Sequence, residues 1–145
     1  RQMCIRDSIY LKREYVFERS KFDIYFETDQ QEKGFVEVKG MTLENQGIGA
    51  FPDAPTIRGL KHVQELRVAQ ALDYHCYVLF IVQFSAIQAA TLHRLMQPAL
   101  YQAAEMAMAD GVQILAYNCE VDQESISIKE SVSFDLKQEF IDPNQ

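Results

Sequence analysis

The stretch "GFVEVKG", residues Gly34–Gly40, is the basis of the fold prediction. Its phenylalanine and two valines are typical of a buried strand, and glycine punctuates both ends. Successive side chains of a strand point to opposite faces, so Glu37 and Lys39, two residues apart, lie side by side on one face. This charged pair is either a weak ion pair on a solvated edge strand or one part of a functional site.

The residues just before this stretch predict a second strand and a hairpin. "SKFDIYFET", Ser20–Thr28, alternates between apolar and polar residues, which is the period of a half-buried strand. The polar segment "DQQEKG" then leads directly into the next strand, as in an antiparallel hairpin. Pairing across that hairpin can bring Asp23 opposite Glu37.

Two carboxylates held together by rigid strands repel each other unless a cation or a proton lies between them. Mg²⁺ binds through one or two carboxylates while it keeps several waters. A neighbouring lysine could then orient or polarise a metal-bound water against a phosphate. Asp23, Glu37 and Lys39 are therefore candidate catalytic residues of a phosphodiester-cleaving site, with Mg²⁺ or Mn²⁺ held by Asp23 and Glu37.

The rest of the chain predicts a mixed α/β fold in the order β-β-β-α-β-α-β, a central sheet flanked by helices. Thr56 caps a helix that ends near Asp73, and a second helix covers about Gln97–Asp110. The remaining predictions are a strand at 9–17, an irregular loop at 41–55, a central strand covered on both faces at 75–84, a buried strand at 112–117 and an edge hairpin or meander at 120–136.

The charge is unevenly distributed along the 145 residues, which form one domain by length. Residues 1–72 hold 11 lysines and arginines and 11 acidic residues, whereas residues 73–145 hold 3 and 10, so the net charge of −7 comes from the second half. If the chain has a phosphate-binding surface, we therefore expect the first half to form it.

The chain carries no sequence signal for a membrane or for the secretory route. The longest apolar run, "CYVLFIV", is much shorter than the 18 or so residues of a spanning helix. Three widely separated cysteines, Cys4, Cys76 and Cys119, make no C-x-x-C motif and are interpreted as reduced thiols. We expect a cytoplasmic protein with no membrane partner.

Four residues of the first predicted helix fall on one helical face. Arg58, Lys61, His62 and Glu65 are spaced i, i+3, i+4 and i+7. The face is either an ordinary solvated surface or a phosphate-binding surface, and the helical pattern alone does not choose between the two. His75 and His93 have no partner in the sequence and are interpreted as structural.

Four segments, "ERSKFDIYFE", "GFVEVKGMTL", "FPDAPTIRGLKHVQEL" and "GVQILAY", resemble in order and spacing the sugar fermentation stimulation protein A (SfsA) family. The resemblance covers residues 9–136. It implies a nuclease-like domain of the PD-(D/E)xK, restriction-endonuclease type, associated with DNA binding and with regulation of sugar metabolism of the maltose type.

The resemblance also implies roles for individual residues. Asp23, Glu37 and Lys39 match the nuclease motif, and Glu14 matches a further acidic position that could join the metal site. The signature after the loop supplies the candidate nucleic-acid contacts Thr56, Arg58, Lys61 and His62, and also includes Asp53 and Glu65. The chain departs from the family pattern at Pro55, Ile57, Leu60 and Phe84, and the residues at 57 and 60 make the helix more apolar than is usual.

The expected domain organisation is a nuclease-like domain at residues 9–136, a tail at 137–145, and a non-native or disordered leader at 1–8. Family members usually carry an N-terminal OB-like domain, which this sequence lacks, so DNA binding is expected to be weak. Three functions stay open: a Mg²⁺-dependent nuclease, a catalytically silent DNA-binding regulator, and a sensor of a phosphorylated sugar. The oligomeric state is not predicted.

Overall fold

The computed structural model describes residues 8–121, 123 and 125–144, in which nine strands form one sheet and two helices pack against it. The predicted leader, residues 1–8, lies outside the described residues except for Ser8, which begins the first strand. The elements are β1 (Ser8–Phe17), β2 (Ser20–Thr28), β3 (Lys33–Met41), β4 (Leu43–Asn45), β5 (Ile48–Phe51), α1 (Ile57–Ala71), β6 (His75–Val82), β7 (Ala89–Leu92), α2 (Pro98–Ala109), β8 (Gln113–Val121) and β9 (Ile126–Phe134).

The predicted hairpin is confirmed, and its second strand lies at the junction of two pairing modes. β2 and β3 are antiparallel, with Ile24 opposite Val36 and Tyr25 opposite Phe35. β3 then pairs in parallel with β6, which pairs in parallel with β8. The strands follow the order β1-β2-β3-β6-β8-β9-β7-β5-β4, so the sheet is mixed as predicted.

The loop predicted at residues 41–55 is wrong, because much of it forms the hairpin of β4 and β5. Gln46 and Gly47 have φ of 54° and 82°, the positive values that a two-residue hairpin turn requires at both central positions. These strands are short, and β5 is held by parallel pairing with β7, more than 35 residues away along the chain. No local pattern reports such pairing.

The end of the sheet also differs from the prediction. β8 and β9 form the expected antiparallel hairpin, but β9 is not an edge, because it pairs in parallel with β7 on its other side. The true edges are β1 and β4. Weak alternation in the sequence reflects a strand whose outer residues are exposed, which is also possible inside a sheet that has one open face.

Both helices lie side by side on one face of the sheet and cover its apolar residues. On β6 that face carries Cys76, Val78, Phe80 and Val82, all buried. The opposite face is only partly covered, and Leu79 and Ile81 are half-buried there, so the expectation of cover on both faces is wrong for this part of β6.

The helix boundaries agree closely with the sequence prediction. The side chain of Thr56 caps α1 and accepts a hydrogen bond from the Gly59 N–H at 2.9 Å. A Cβ at Gly59 would come within 2.8 Å of the Thr56 side chain, which explains the glycine in the first turn. Among the described residues, neither helix is long and apolar enough to cross a membrane.

Candidate functional site

The candidate site lies in a fork where β2 and β3 separate. Backbone pairing between the two strands ends at Ile24 and Val36. One residue further on, Asp23 Oδ2 accepts a hydrogen bond from the Val38 N–H at 2.7 Å, so a side chain replaces the next ladder bond. This arrangement brings the Asp23 carboxyl group within hydrogen-bonding reach of Glu37, the proximity that hairpin pairing predicted.

Glu37 forms the floor of this fork, with only 2% of its side chain exposed. Lys39 Nζ lies 3.6 Å from Glu37 Oε2, so the two residues share a face as the strand period predicted. His62, from α1, places Nδ1 against the same Glu37 oxygen and 2.9 Å from Lys39 Nζ. Three side chains from two elements thus meet around one buried oxygen.

The surroundings of Asp23 and Glu37 give the two carboxyl groups very different pKa values. Burial, together with the hydrogen bond to Asp23, raises the pKa of Glu37 to about 8. For Asp23, burial acts to raise the pKa, but the hydrogen bonds from Glu37 and Val38 and the charge on Lys39 outweigh it and lower the pKa. Near neutral pH the pair therefore consists of an ionised Asp23 and a protonated Glu37.

His62 is a neutral imidazole in this structure at neutral pH. Burial and the positive charges of Lys39 and Arg58 lower its pKa to about 4. The ring also packs edge-on against Phe22, with the centroids 6.3 Å apart. A buried, neutral ring is suited to holding Lys39 and Glu37 in place, and less suited to binding a phosphate by charge.

Glu14 lies on β1, beside Asp23 and on the side of β2 that faces away from the fork. The β1–β2 register passes from the pair Arg13–Ile24 to the pair Tyr15–Phe22, which leaves Glu14 and Asp23 as the unmatched residues between them. Glu14 has φ of 55°, a left-handed backbone that a non-glycine residue adopts at some cost. Both acidic residues line one open cleft of about 650 Å³ with Arg13, which sequence analysis did not select.

The candidate nucleic-acid contacts on α1 do not form one surface. Lys61 Nζ donates a hydrogen bond to the Arg19 carbonyl, Arg58 is exposed, and His62 is buried in the fork. Thr56 is engaged in capping the helix. The four-residue face predicted from helical spacing is thus divided between the solvent and the interior.

Two further members of the sequence signature lie outside the fork. Asp53 accepts a hydrogen bond from the Thr42 hydroxyl at 3.1 Å, and Glu65 is half-buried on α1. Asp53 therefore ties the segment before α1 to the start of β4.

The donor set of the fork suits a cation that needs few protein ligands. No group of three or more histidine, cysteine or acidic side chains that could hold a metal ion occurs among the described residues. Asp23 and Glu37 supply two carboxylates, and buried Oε2 of Glu37 has no well-formed hydrogen bond in the described part of the chain. A hard cation that keeps its waters, such as Mg²⁺, could take the place of the Glu37 proton.

One residue that sequence analysis missed fixes the start of α1. The Gln97 side chain accepts a hydrogen bond from the Thr56 N–H at 2.8 Å and donates one to the Thr56 carbonyl at 2.9 Å. Gln97 is also the N-cap residue of α2. No sequence signal marks this contact, because 41 residues separate the two partners.

The comparisons with known proteins point to one family. A family model described as the sugar fermentation stimulation protein RE domain matches residues 2–125. Sugar fermentation stimulation protein homologs from Enterococcus mundtii and Alkaliphilus oremlandii are 54% and 42% identical to this chain, over 95% and 92% of its length. The chain spans only 57% and 58% of those relatives.

A solved structure with the same fold is that of Pyrococcus furiosus SfsA in complex with Ca²⁺. It superposes with a TM-score of 0.80 at 22% sequence identity and covers 86% of this chain and 54% of the other. At this identity the likeness concerns the fold alone.

Proposed function

Because the chain belongs to the sugar fermentation stimulation protein (SfsA) family, we propose that it is a DNA-binding domain of the PD-(D/E)xK type that hydrolyses phosphodiesters with a divalent metal. The observation that carries the proposal is the pairing of Asp23 with buried Glu37 beside Lys39, where β2 and β3 separate. Rigid strands hold these groups, as preorganised catalysis requires.

The metal site would consist of Asp23 and Glu37, with Glu14 available across the cleft. The Pyrococcus furiosus SfsA structure is a complex with Ca²⁺, which supports an oxygen-ligand site in this fold. Bound Mg²⁺ or Mn²⁺ would supply charge stabilisation and a more acidic water. Glu37 must lose its proton to become a ligand, so metal binding should release protons near neutral pH.

Lys39 would contact the substrate directly. Its ammonium group is partly exposed, with 20% of the side chain accessible, and it lies beside the Glu37 oxygen. From there it can orient the attacking water and stabilise charge on the phosphate. His62 holds Lys39 from behind, which makes it a positioning residue rather than a phosphate ligand.

Nucleic acid would approach through the open cleft that Arg13, Glu14 and Asp23 line. Among the described residues, Arg13 is the cation of that lining, and Arg58 is exposed on α1. Phosphate contacts release counterions, so binding should weaken steeply with salt. The acidic second half of the chain would repel DNA and keep the affinity of this domain low.

A catalytically silent DNA-binding regulator, acting in sugar metabolism, is the second candidate. The observation that favours it is the protonated state of Glu37, whose pKa of about 8 leaves the site without its second negative charge at neutral pH. Such a protein would bind the phosphate backbone through the same cleft without cleaving it.

A nicking assay tests both functions. Supercoiled plasmid and single-stranded DNA are incubated with Mg²⁺ or Mn²⁺ and with the wild type, Lys39→Ala, or Lys21→Ala as an exposed matched control. Cleavage that needs the metal and is lost only in Lys39→Ala would establish a nuclease. Intact DNA in every lane, with salt-sensitive gel shifts retained, would leave the silent regulator; absence of any shift, also with the longer Enterococcus mundtii relative, would contradict both.

A further inference from the structure

A second cavity, of about 320 Å³, lies between the connection from β7 to α2 and the residues that follow β9. One wall contains buried His93, and both of its ring nitrogens are engaged. Nε2 lies 2.8 Å from Asp142 Oδ2, and Nδ1 accepts the Met96 N–H at 3.3 Å. The Phe140 ring packs edge-on against the imidazole, with the centroids 5.2 Å apart.

This cavity lies in the acidic second half of the chain, where the charge balance predicts no phosphate-binding surface, and yet two cations line it. Residues 73–145 contain only three lysines and arginines, and two of them, Arg94 and Lys137, line the cavity. Neither forms an ion pair within the part of the chain that the structure describes, whereas the third, Lys129, pairs with Glu120 at 3.0 Å. Glu139 is the acidic residue of the lining within the described part of the chain.

Arg94 is held in place without using its charge. Its guanidinium group stacks over the Tyr101 ring, 4.7 Å from the centroid, and the Tyr101 hydroxyl donates to the Leu136 carbonyl at 2.9 Å. Stacking orients the planar group and leaves its N–H donors available for an anion. The backbone N–H groups of Arg94 and Leu95 likewise donate to no group within the described residues.

We propose that this cavity binds the phosphate group of a phosphomonoester, carried either by a small molecule or by the end of a nucleic-acid strand. Two cations and two consecutive backbone N–H groups match the several acceptor oxygens of a phosphate. The volume is at the lower limit for small-molecule sites, which admits one sugar phosphate or one terminal nucleotide.

The cavity is separate from the fork between β2 and β3. Leu92 lies between them, since it lines this cavity and also a small void beside Glu37. Phosphate binding here needs neither the metal nor Lys39, so the inference does not rest on the proposed function. Measurements with EDTA present distinguish the two sites.

Amide NMR with inorganic phosphate and ribose 5-phosphate tests the site directly. At constant ionic strength, we expect saturable shifts of the Arg94 and Leu95 amide signals. Arg94→Ala and Lys137→Ala should each weaken binding by about tenfold or more, the effect of losing a charged hydrogen bond. Lys129→Ala, which removes an exposed cation elsewhere in the same half, should leave binding unchanged.

The source of the phosphate is resolved with short oligonucleotides that carry or lack a terminal phosphate at either end. Tighter binding of the phosphorylated strands than of ribose 5-phosphate identifies a strand end, and the reverse identifies a small molecule.

The proposal is overturned if no saturable shift occurs at Arg94 and Leu95, if both alanine variants bind as the wild type does, or if Lys129→Ala weakens binding equally.

Discussion

At the scale of single residues, Glu37 is the most unusual group of the described chain. A buried carboxyl group normally needs a cation or strong hydrogen bonds to stay ionised. Here Lys39 is close, but burial and the hydrogen bond to Asp23 prevail, and the pKa rises to about 8. The site thus holds a proton that a divalent cation must displace, which makes its readiness for metal dependent on pH.

Glu37→Gln should change the pH dependence of stability. The folded-state pKa of about 8 lies above the ordinary value of 4.5, so between these values the folded chain retains a proton that the unfolded chain releases. Wild-type stability therefore falls as pH rises through this window and levels off above it. The glutamine variant has no such proton to lose. Its free energy of unfolding should therefore rise by on the order of 3 kcal/mol relative to that of the wild type as pH increases through this window.

Urea unfolding in EDTA, from about pH 5 to about pH 8, measures this difference. Glu105→Gln, an exposed change on α2, serves as the control. Its free energy of unfolding should differ from that of the wild type by the same amount at every pH. A constant difference for Glu37→Gln as well would mean that Glu37 ionises normally.

At the scale of elements, the two helices are joined at their N-termini. Gln97 caps no N–H of its own helix with its side chain, and instead bonds both backbone groups of Thr56, the cap of α1. α1 carries His62, which contacts Glu37 and Lys39. The start of α2 therefore controls the position of a helix that completes the site on β3.

Gln97→Ala should destabilise the protein by about 1–2 kcal/mol, because the Thr56 N–H and carbonyl lose their partners in a half-buried position. Amide hydrogen exchange should become faster in the first turn of α1, around Gly59, before it does in β6. Gln64→Ala, an exposed change on α1, provides the comparison. Equal exchange in both variants would show that Gln97 does not hold the helix.

At the scale of the whole molecule, the segment after β9 joins parts that are distant in sequence. The Ile141 carbonyl accepts a hydrogen bond from the Asn45 side chain at 2.7 Å, the Leu136 carbonyl binds Tyr101 of α2, and Asp142 pairs with His93. Residues 135–144 thus bridge β4, α2 and the connection between β7 and α2. This segment therefore holds together the half of the sheet that is farther from β1.

Asp142→Ala should lower the melting temperature, because it leaves Nε2 of buried His93 without its hydrogen-bond partner. The N–H of Asn144 and the pairing with His93 lower the pKa of Asp142. Its stabilising effect is therefore complete above the ordinary pKa and disappears as pH falls through the lowered value. Calorimetry should show the two proteins converging in strongly acid solution, while Asp29→Ala, in an exposed turn, stays close to the wild type throughout.

Features that depend on neighbours along the chain could be predicted from the amino-acid sequence alone. Strand alternation and the polar segment between β2 and β3 were enough to place Asp23, Glu37 and Lys39 together, and Thr56 marked the start of α1. A hairpin register and a helix cap are set within a few residues, where side-chain pattern and backbone preference act directly.

Features that join distant segments emerge only in the folded molecule. In the folded molecule, His62 is buried against Glu37 and the Gln97 side chain bonds to Thr56. The strand β9 lies between β8 and β7, and Arg94 and Lys137 line one cavity. Each of these contacts spans more than 20 residues or depends on which faces are buried after the sheet assembles. Local periodicity in the sequence does not indicate which distant segments pair, because the free energy that selects this pairing comes from packing the complete core.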